Sequence, residues 1–258
     1  MPGESSVASL LGCLLSTETF DDAFDAFASI VMDTLGYEGV LYGCAPAIFG
    51  SDPLFKSPVV RAKGLYSTEL LMRYHEEGLA DHDFTVKAIM QGVTGEMDWW
   101  LYRHRNLLSS QEITLLDIAK SFGLHNGLSI PAMNNKSGFA GISVASAKDR
   151  EHFDQLNRVN LQHLKDCMHV FNAFAWTHHA DSIYQQFVGP VLMQLTKDEK
   201  RYLRELPSGK KVVEVAAALN KAPKTMENIS RRARAKFNNA NTAQLIYYSG
   251  LLRFNDYL

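Results

Sequence analysis

The chain has 258 residues, of which 46% are hydrophobic and 21% charged, a balance that excludes a disordered or fibrous chain and allows one large domain or two small ones. Its net charge of -2 hides an asymmetry: residues 195–258 hold 13 Lys and Arg against 6 Asp and Glu, and residues 1–194 hold 13 against 22. A basic end on an acidic body suits contact with a polyanion through one part only.

Cys13, Cys44 and Cys167 are odd in number and widely spaced, so neither a disulfide framework nor a zinc pattern is expected. With no secretory leader pattern and no run of ~18 apolar residues, the expected location is cytoplasmic, with no membrane contact.

Residues 1–8 are expected to form a loose tail. From Thr17 to Leu35, the positions Phe20, Phe24, Phe27, Ile30, Val31 and Leu35 recur at helical spacing, with Thr17 or Thr19 as cap and Gly36 as stop. Val40 to Tyr42 reads as a strand, Ala45 to Pro58 as a loop containing Pro and Gly, and Val59 to Leu65 as a second strand. A helix from Ser67 to about Glu77 has Leu70, Leu71 and Tyr74 among its core candidates. Asp81-His82-Asp83 interrupts it, and Phe84 to Met90 adds another turn or two.

Ser109 or Ser110 opens an amphipathic helix to Phe122 through Ile113, Leu116, Ile118 and Ala119. Two strands, Gly127 to Ala132 and Phe139 to Ala145, are joined by a polar turn from Asn134 to Gly138. A long helix from about Asp149 to Trp176 turns Phe153, Leu156, Leu164, Cys167, Met168, Phe171 and Phe174 inward. Helices and strands in alternation, with short turns, predict a sheet flanked by helices. Residues 178–194, with His178-His179 at one end and Gly189-Pro190 near the other, are the expected linker.

Thr196 and Glu199 form a capping box that starts a helix carrying Leu203 and Leu206, and Pro207-Ser208-Gly209 stops it. Val212, Val215, Ala216 and Leu219 share one face of a short helix. After Asn220 to Pro223, a further helix runs from about Lys224 to Phe237 with Met226, Ile229, Ala233 and Phe237 inward. Its other faces carry Lys224, Thr225, Glu227, Asn228, Ser230, Arg231, Arg232, Arg234 and Lys236. This arrangement fits a helix-turn-helix, and equally a solvated basic helix in an ordinary bundle.

As a set, Leu195-Thr196-x-x-Glu199, Gly209-Lys210, Glu214-Val215-Ala216, Leu219, Lys224-Thr225, Lys236, Asn241, Gln244 and Gly250-Leu251 resemble the signature of the LuxR-type regulators. The resemblance departs at Ala222, Glu227 and Ile229. It implies a four-helix DNA-binding domain, with Lys210, Lys224, Thr225, Glu227, Asn228, Arg231, Arg232 and Lys236 as the expected DNA-contacting residues. It further implies a homodimer on two-fold symmetric double-stranded DNA, with RNA polymerase as a further partner.

Residues 17–176 resemble the acyl-homoserine-lactone-binding domain of the same regulators, most clearly over Tyr66 to Val86 and Phe122 to Ser146. Tyr66, Tyr74 and Asp83 fall at the family's pocket intervals, while Leu70 stands where the family has a tryptophan. Trp99 matches a further tryptophan with one inserted residue, and Ser143 matches a hydroxyl residue with one deletion. These six are the expected ligand-binding residues. Independently of the family, Asp83 can accept from an amide N–H, Tyr and Ser hydroxyls can donate to a carbonyl, and Trp99 and Tyr66 can wall an apolar site. The same aromatics at helical spacing also suit plain core. Leucine has no donor, so the ligand is either a lactone held by fewer polar contacts or a molecule with a different head group.

No nucleophile elbow, phosphate-binding glycine loop or paired metal histidines are present, and neither catalysis, a metal nor a cofactor is expected. The expected fold is α+β: an α/β/α sandwich with a central antiparallel sheet at 1–177, a linker at 178–194 and an all-α helix-turn-helix domain at 195–258. The expected function is a ligand-responsive transcription regulator of quorum sensing. The alternative is a LuxR-type regulator that binds DNA without a lactone, through another ligand or a vestigial pocket.

Overall fold

The structure is a computed structural model that describes residues 2–47, 58–251, 253 and 256. The chain divides into two compact units, residues 1–47 with 57–183 and residues 48–56 with 184–258.

The first unit opens with helix α1, Pro2–Leu14. The expected loose tail is therefore helical, because Leu10 and Leu14, one turn apart, are both fully buried and fix a helix too short to stand alone. Helix α2, Phe20–Ser29, is opened by a capping box between Thr19 and Asp22 and runs into a π-helical turn at Ile30–Thr34. Gly36, at φ +83°, then ends the helical run.

Strands β1 (Gly39–Pro46) and β2 (Val59–Gly64) follow. The expected loop between them lies almost wholly outside the described residues. Helix α3 (Thr68–Glu76) is capped by Ser67, and α4 (Phe84–Met90) by Asp83. A two-residue strand β3 (Met97–Asp98) leads directly into α5 (Trp99–His104), and α6 (Ser110–Ser121) starts from the Ser109–Glu112 capping box. The hairpin β4 (Asn126–Asn135) and β5 (Gly138–Ser146) precedes the long helix α7, Arg150–His178.

The sheet has the order β2-β1-β5-β4-β3 and every pairing is antiparallel. Alternate residues of a strand point to opposite faces, which gives this sheet two different jobs. One face carries Val40, Tyr42 and Cys44, all fully buried, and Tyr42 packs edge-on against Phe171 of α7 and Phe20 of α2. The Tyr42 hydroxyl donates to Asn172 Oδ1 at 2.8 Å and accepts from Trp176 Nε1 at 3.1 Å, so a polar network is satisfied inside this core.

The opposite face carries a cross-strand row set by register: Ala62, Leu41, Ser143 and Ser129 are successive partners on β2, β1, β5 and β4. That row is the floor of the candidate site. With α2 and α7 on one side and α3, α5 and α6 on the other, the unit is the expected α/β/α sandwich around an antiparallel sheet.

Residues 178–194, read from sequence as a connection, hold helix α8 (Ala180–Met193), with Pro190 inside it. The second unit then contains α9 (Lys197–Glu205), α10 (Val212–Ala218), α11 (Pro223–Lys236) and α12 (Thr242–Leu251). Met226, Ile229, Ala233 and Phe237 are buried together with Tyr202, Leu203, Val215, Ala216 and Leu245. Each of the inward positions expected for α11 thus faces the core, as its three- and four-residue spacing requires.

Candidate functional site

The site in the first unit is built on the Ser143 row. Trp99 is the first residue of α5, and Asp98 caps that helix by accepting from the Leu101 N–H at 3.0 Å. The Arg150 guanidinium grips the Asp98 carboxylate with two hydrogen bonds, at 2.8 and 2.7 Å, so α7 fixes where α5 begins. The Trp99 ring lies directly on Gly127, where a Cβ would come within 2.3 Å of it, and only glycine permits that approach. The indole Nε1–H donates to Ser129 Oγ at 2.9 Å, and Ser129 Oγ is 2.7 Å from Ser143 Oγ.

Tyr66, just before α3, and Leu70 within it join Ala119, Leu124 and Ala145 in one buried cluster, against which Leu41, Leu65, Trp99, Ile118 and Phe122 pack. Tyr74, at the next position of the same stripe, donates its hydroxyl to Asp83 Oδ2 at 2.9 Å. Asp83 Oδ1 accepts from the Thr85 N–H at 2.8 Å, the Thr85 hydroxyl at 2.7 Å and the Val86 N–H at 3.3 Å. The same carboxylate that caps α4 therefore also anchors α3. Burial, reinforced by the Asp83 charge and the hydrogen bond to it, pushes the Tyr74 phenol well above its ordinary value.

Tyr66 is the exception to this mutual satisfaction. Its hydroxyl is buried with no hydrogen-bond partner among the described residues. Burial pushes its phenol far up, the Asp83 charge adds to this, and the neighbouring Ser143 hydroxyl opposes it. Ser143 is thus close to Tyr66, although the geometry falls short of a hydrogen bond.

All six expected ligand-binding residues gather on this one side of the sheet. Tyr66, Leu70 and Trp99 share the apolar cluster, Ser143 reaches Trp99 through Ser129, and Tyr74 reaches Asp83. Ser129 and Gly127 were not singled out from sequence. Their signal was the alternation Gly127, Ser129 on β4, which becomes meaningful once the hairpin register places Ser129 opposite Ser143.

In the second unit, Lys224, Thr225, Glu227, Asn228, Arg231 and Arg232 are exposed on α11. Arg231 donates to Asn228 Oδ1 at 3.1 Å. Lys210 pairs with Glu205, and Lys236 donates to the Gln194 carbonyl and to Glu199 Oε2, both at 2.7 Å. Two side chains expected on the outer faces turn inward instead. Ser230 is buried and bonds the Tyr202 hydroxyl at 2.8 Å, and Arg234 donates to the Ala240 carbonyl at 2.7 Å. Both satisfy polar groups that would otherwise be stranded in a small core. Ala222 stands at the α11 N-cap without a side-chain cap, and Pro223 occupies the first turn, where its missing N–H costs nothing.

Among the described residues no group of three or more His, Cys, Asp or Glu could hold a metal ion, and no helix is long and apolar enough to cross a membrane.

The autoinducer binding domain family model matches residues 19–182. Among solved structures, Escherichia coli SdiA is similar over 97% of this chain and 98% of its own, at 17% identity and a TM-score of 0.53. CepR2 of Burkholderia cenocepacia, described as an N-acylhomoserine lactone dependent LuxR family transcription factor, is similar over 69% of this chain and 98% of its own, at 16% identity and a TM-score of 0.50. No curated protein matches. At these identities the structural likeness speaks for the fold, while the domain model spans more than half of the sequence. The chain belongs to the autoinducer binding domain family of LuxR-type regulators.

Proposed function

We propose that the first unit buries an N-acyl-homoserine lactone or a related amide-bearing lipid signal, and that the second binds operator DNA as a homodimer in the cytoplasm. The observation that carries this reading is the Tyr66 hydroxyl, buried without a partner beside Ser143 and Asp83. Leaving such a group unsatisfied costs about 1–3 kcal/mol, which a ligand carbonyl accepting from Tyr66 and Ser143 would recover. Asp83 Oδ2 accepts one hydrogen bond, from Tyr74, and keeps a lone pair for an amide N–H. The apolar cluster around Tyr66 and Leu70 offers the hydrocarbon surface a lipid needs.

On DNA, α11 is the recognition helix. Lys224, Thr225, Arg231 and Arg232 contact phosphates or guanine edges, and Glu227 and Asn228 face cytosine amines or adenine edges. Lys210 and Lys236 support that surface from behind, through their contacts with Glu205 and Glu199. A two-fold dimer would hold two such helices roughly 34–36 Å apart.

One observation favours a second reading, DNA binding without a lactone: Tyr74, Asp83, Trp99, Ser129 and Ser143 already satisfy one another. Titration of the full chain with N-octanoyl-homoserine lactone, with mass spectrometry of any small molecule that copurifies, separates the two. Saturable binding that raises the thermal midpoint and is weakened by Tyr66→Phe supports the signal reading. No binding, no copurified molecule and unchanged affinity for duplex DNA would leave the second.

A further inference from the structure

The polar groups of the site are confined to one end. The Tyr66 hydroxyl, Ser143 and Asp83 neighbour one another, and together they match one secondary amide: two hydroxyl donors for the carbonyl and one acceptor for the N–H. Four residues further along the same helical stripe stands Leu70, 5% exposed, packed with Ala119, Leu124 and Ala145 and flanked by Ile118 and Phe122. The donors nearest to it in the site are already committed, because the Tyr74 hydroxyl is given to Asp83 and the Trp99 indole N–H to Ser129. A head group seated against Leu70 meets hydrocarbon.

We propose that Leu70 is a specificity-determining residue, and that it makes the site select secondary amides whose head group is a plain hydrocarbon ring rather than a lactone. The inference rests on the signal-binding reading given above. An oxygen-bearing ring placed there would lose its water without gaining a donor. A stranded acceptor of that kind lowers affinity by about ten- to a hundredfold. A carbocycle of the same size carries no such penalty and buries apolar area instead.

Two probes with the same acyl chain test this by calorimetric titration of the full chain: N-octanoyl-homoserine lactone and N-cyclopentyloctanamide. The wild type is expected to bind the cyclopentyl amide at least about tenfold more tightly. Leu70→Trp, which introduces an N–H donor, is expected to shift the ratio toward the lactone by a similar factor. Leu70→Gln, close to leucine in size, supplies a donor without overpacking and keeps the test decisive where the tryptophan variant fails to fold. The ratio is the informative quantity, because general destabilisation weakens both ligands together. A wild type that prefers the lactone, or a ratio unmoved in both variants, overturns the proposal and leaves the signal-binding reading intact. A wild type that binds neither probe overturns both.

Discussion

The Lys236 ammonium lies 2.7 Å from Oε2 of Glu199, a carboxylate with 1% of its side chain exposed. The same oxygen accepts from the Thr196 N–H at 2.8 Å, so one carboxylate closes the capping box of α9 and ties α11 to it. Burial alone would raise the Glu199 carboxyl, but the Lys236 and Thr196 hydrogen bonds outweigh it and hold the group below its ordinary value. A carboxyl lowered in the folded state contributes stability that is present above its unfolded value and lost as pH falls through its folded one. Thermal unfolding of the wild type should therefore weaken as pH drops below about 4.5, and Glu199→Gln should flatten that part of the profile. Lys236→Ala should cost about 3 kcal/mol, the low end for a broken buried pair, because Lys236 keeps 29% of its side chain exposed. A neutral result in denaturant unfolding would remove this pair from the stability of the unit.

Much of that helical unit is legible in the sequence, since Thr196-x-x-Glu199 and the stripe Met226, Ile229, Ala233, Phe237 are local patterns with local consequences. What the stripe does not show is the fate of polar side chains. Ser230 and Lys236 read as parts of an outer face, yet Tyr202 and Glu199, distant in sequence, draw them into internal bonds. The same limit applies to the sheet. Tyr66, Tyr74 and Asp83 are recognisable by their intervals, whereas Ser129 and Gly127 gain their roles from strand register and from the approach of Trp99. Helix α1 escaped notice because two buried leucines in a segment containing Gly3 and Ser5 give little periodic signal.

The contact between Trp99 and Gly127 leads to a second prediction. A methyl at residue 127 would meet the indole at 2.3 Å, so Gly127→Ala must displace the ring or the strand. Overpacking of this kind costs about 1–3 kcal/mol. The variant should also break the Trp99–Ser129 bond, seen as a red-shifted tryptophan emission. Unchanged emission and unchanged stability would mean that the ring does not lie against β4.

The Arg150–Asp98 clamp leads to a third. β3 has two residues and none of the α5 side chains is fully buried, so this edge has little packing of its own. Its order depends on Asp98, which caps α5 and receives the Arg150 guanidinium. Asp98→Ala removes both roles, and loss of the cap alone costs about 0.5–2 kcal/mol. Amide hydrogen exchange over residues 97–104 should accelerate, with little change in α2 or β1. Equal protection in the variant and the wild type would show that the edge holds without the clamp.

The last prediction separates the exposed cations of α11 from the committed ones. Arg231 and Lys224 are exposed, while Lys236 is bound to Glu199 and the Gln194 carbonyl. If DNA is read by this helix, Lys224→Ala should weaken binding to all sequences alike and reduce the slope of log affinity against log salt by about 1. Arg231→Ala should do the same where Arg231 sits on a phosphate. Where it pairs with a guanine, the loss should fall at one base position and amount to about 1–3 kcal/mol. Asn228 accepts from Arg231 at 3.1 Å, so Asn228→Ala should mimic part of the Arg231 effect. Lys236→Ala, by contrast, should act through the stability of the unit and leave the salt slope of the folded fraction unchanged. A salt slope lost in Lys236→Ala and kept in Lys224→Ala would place the phosphate-binding surface elsewhere on the unit.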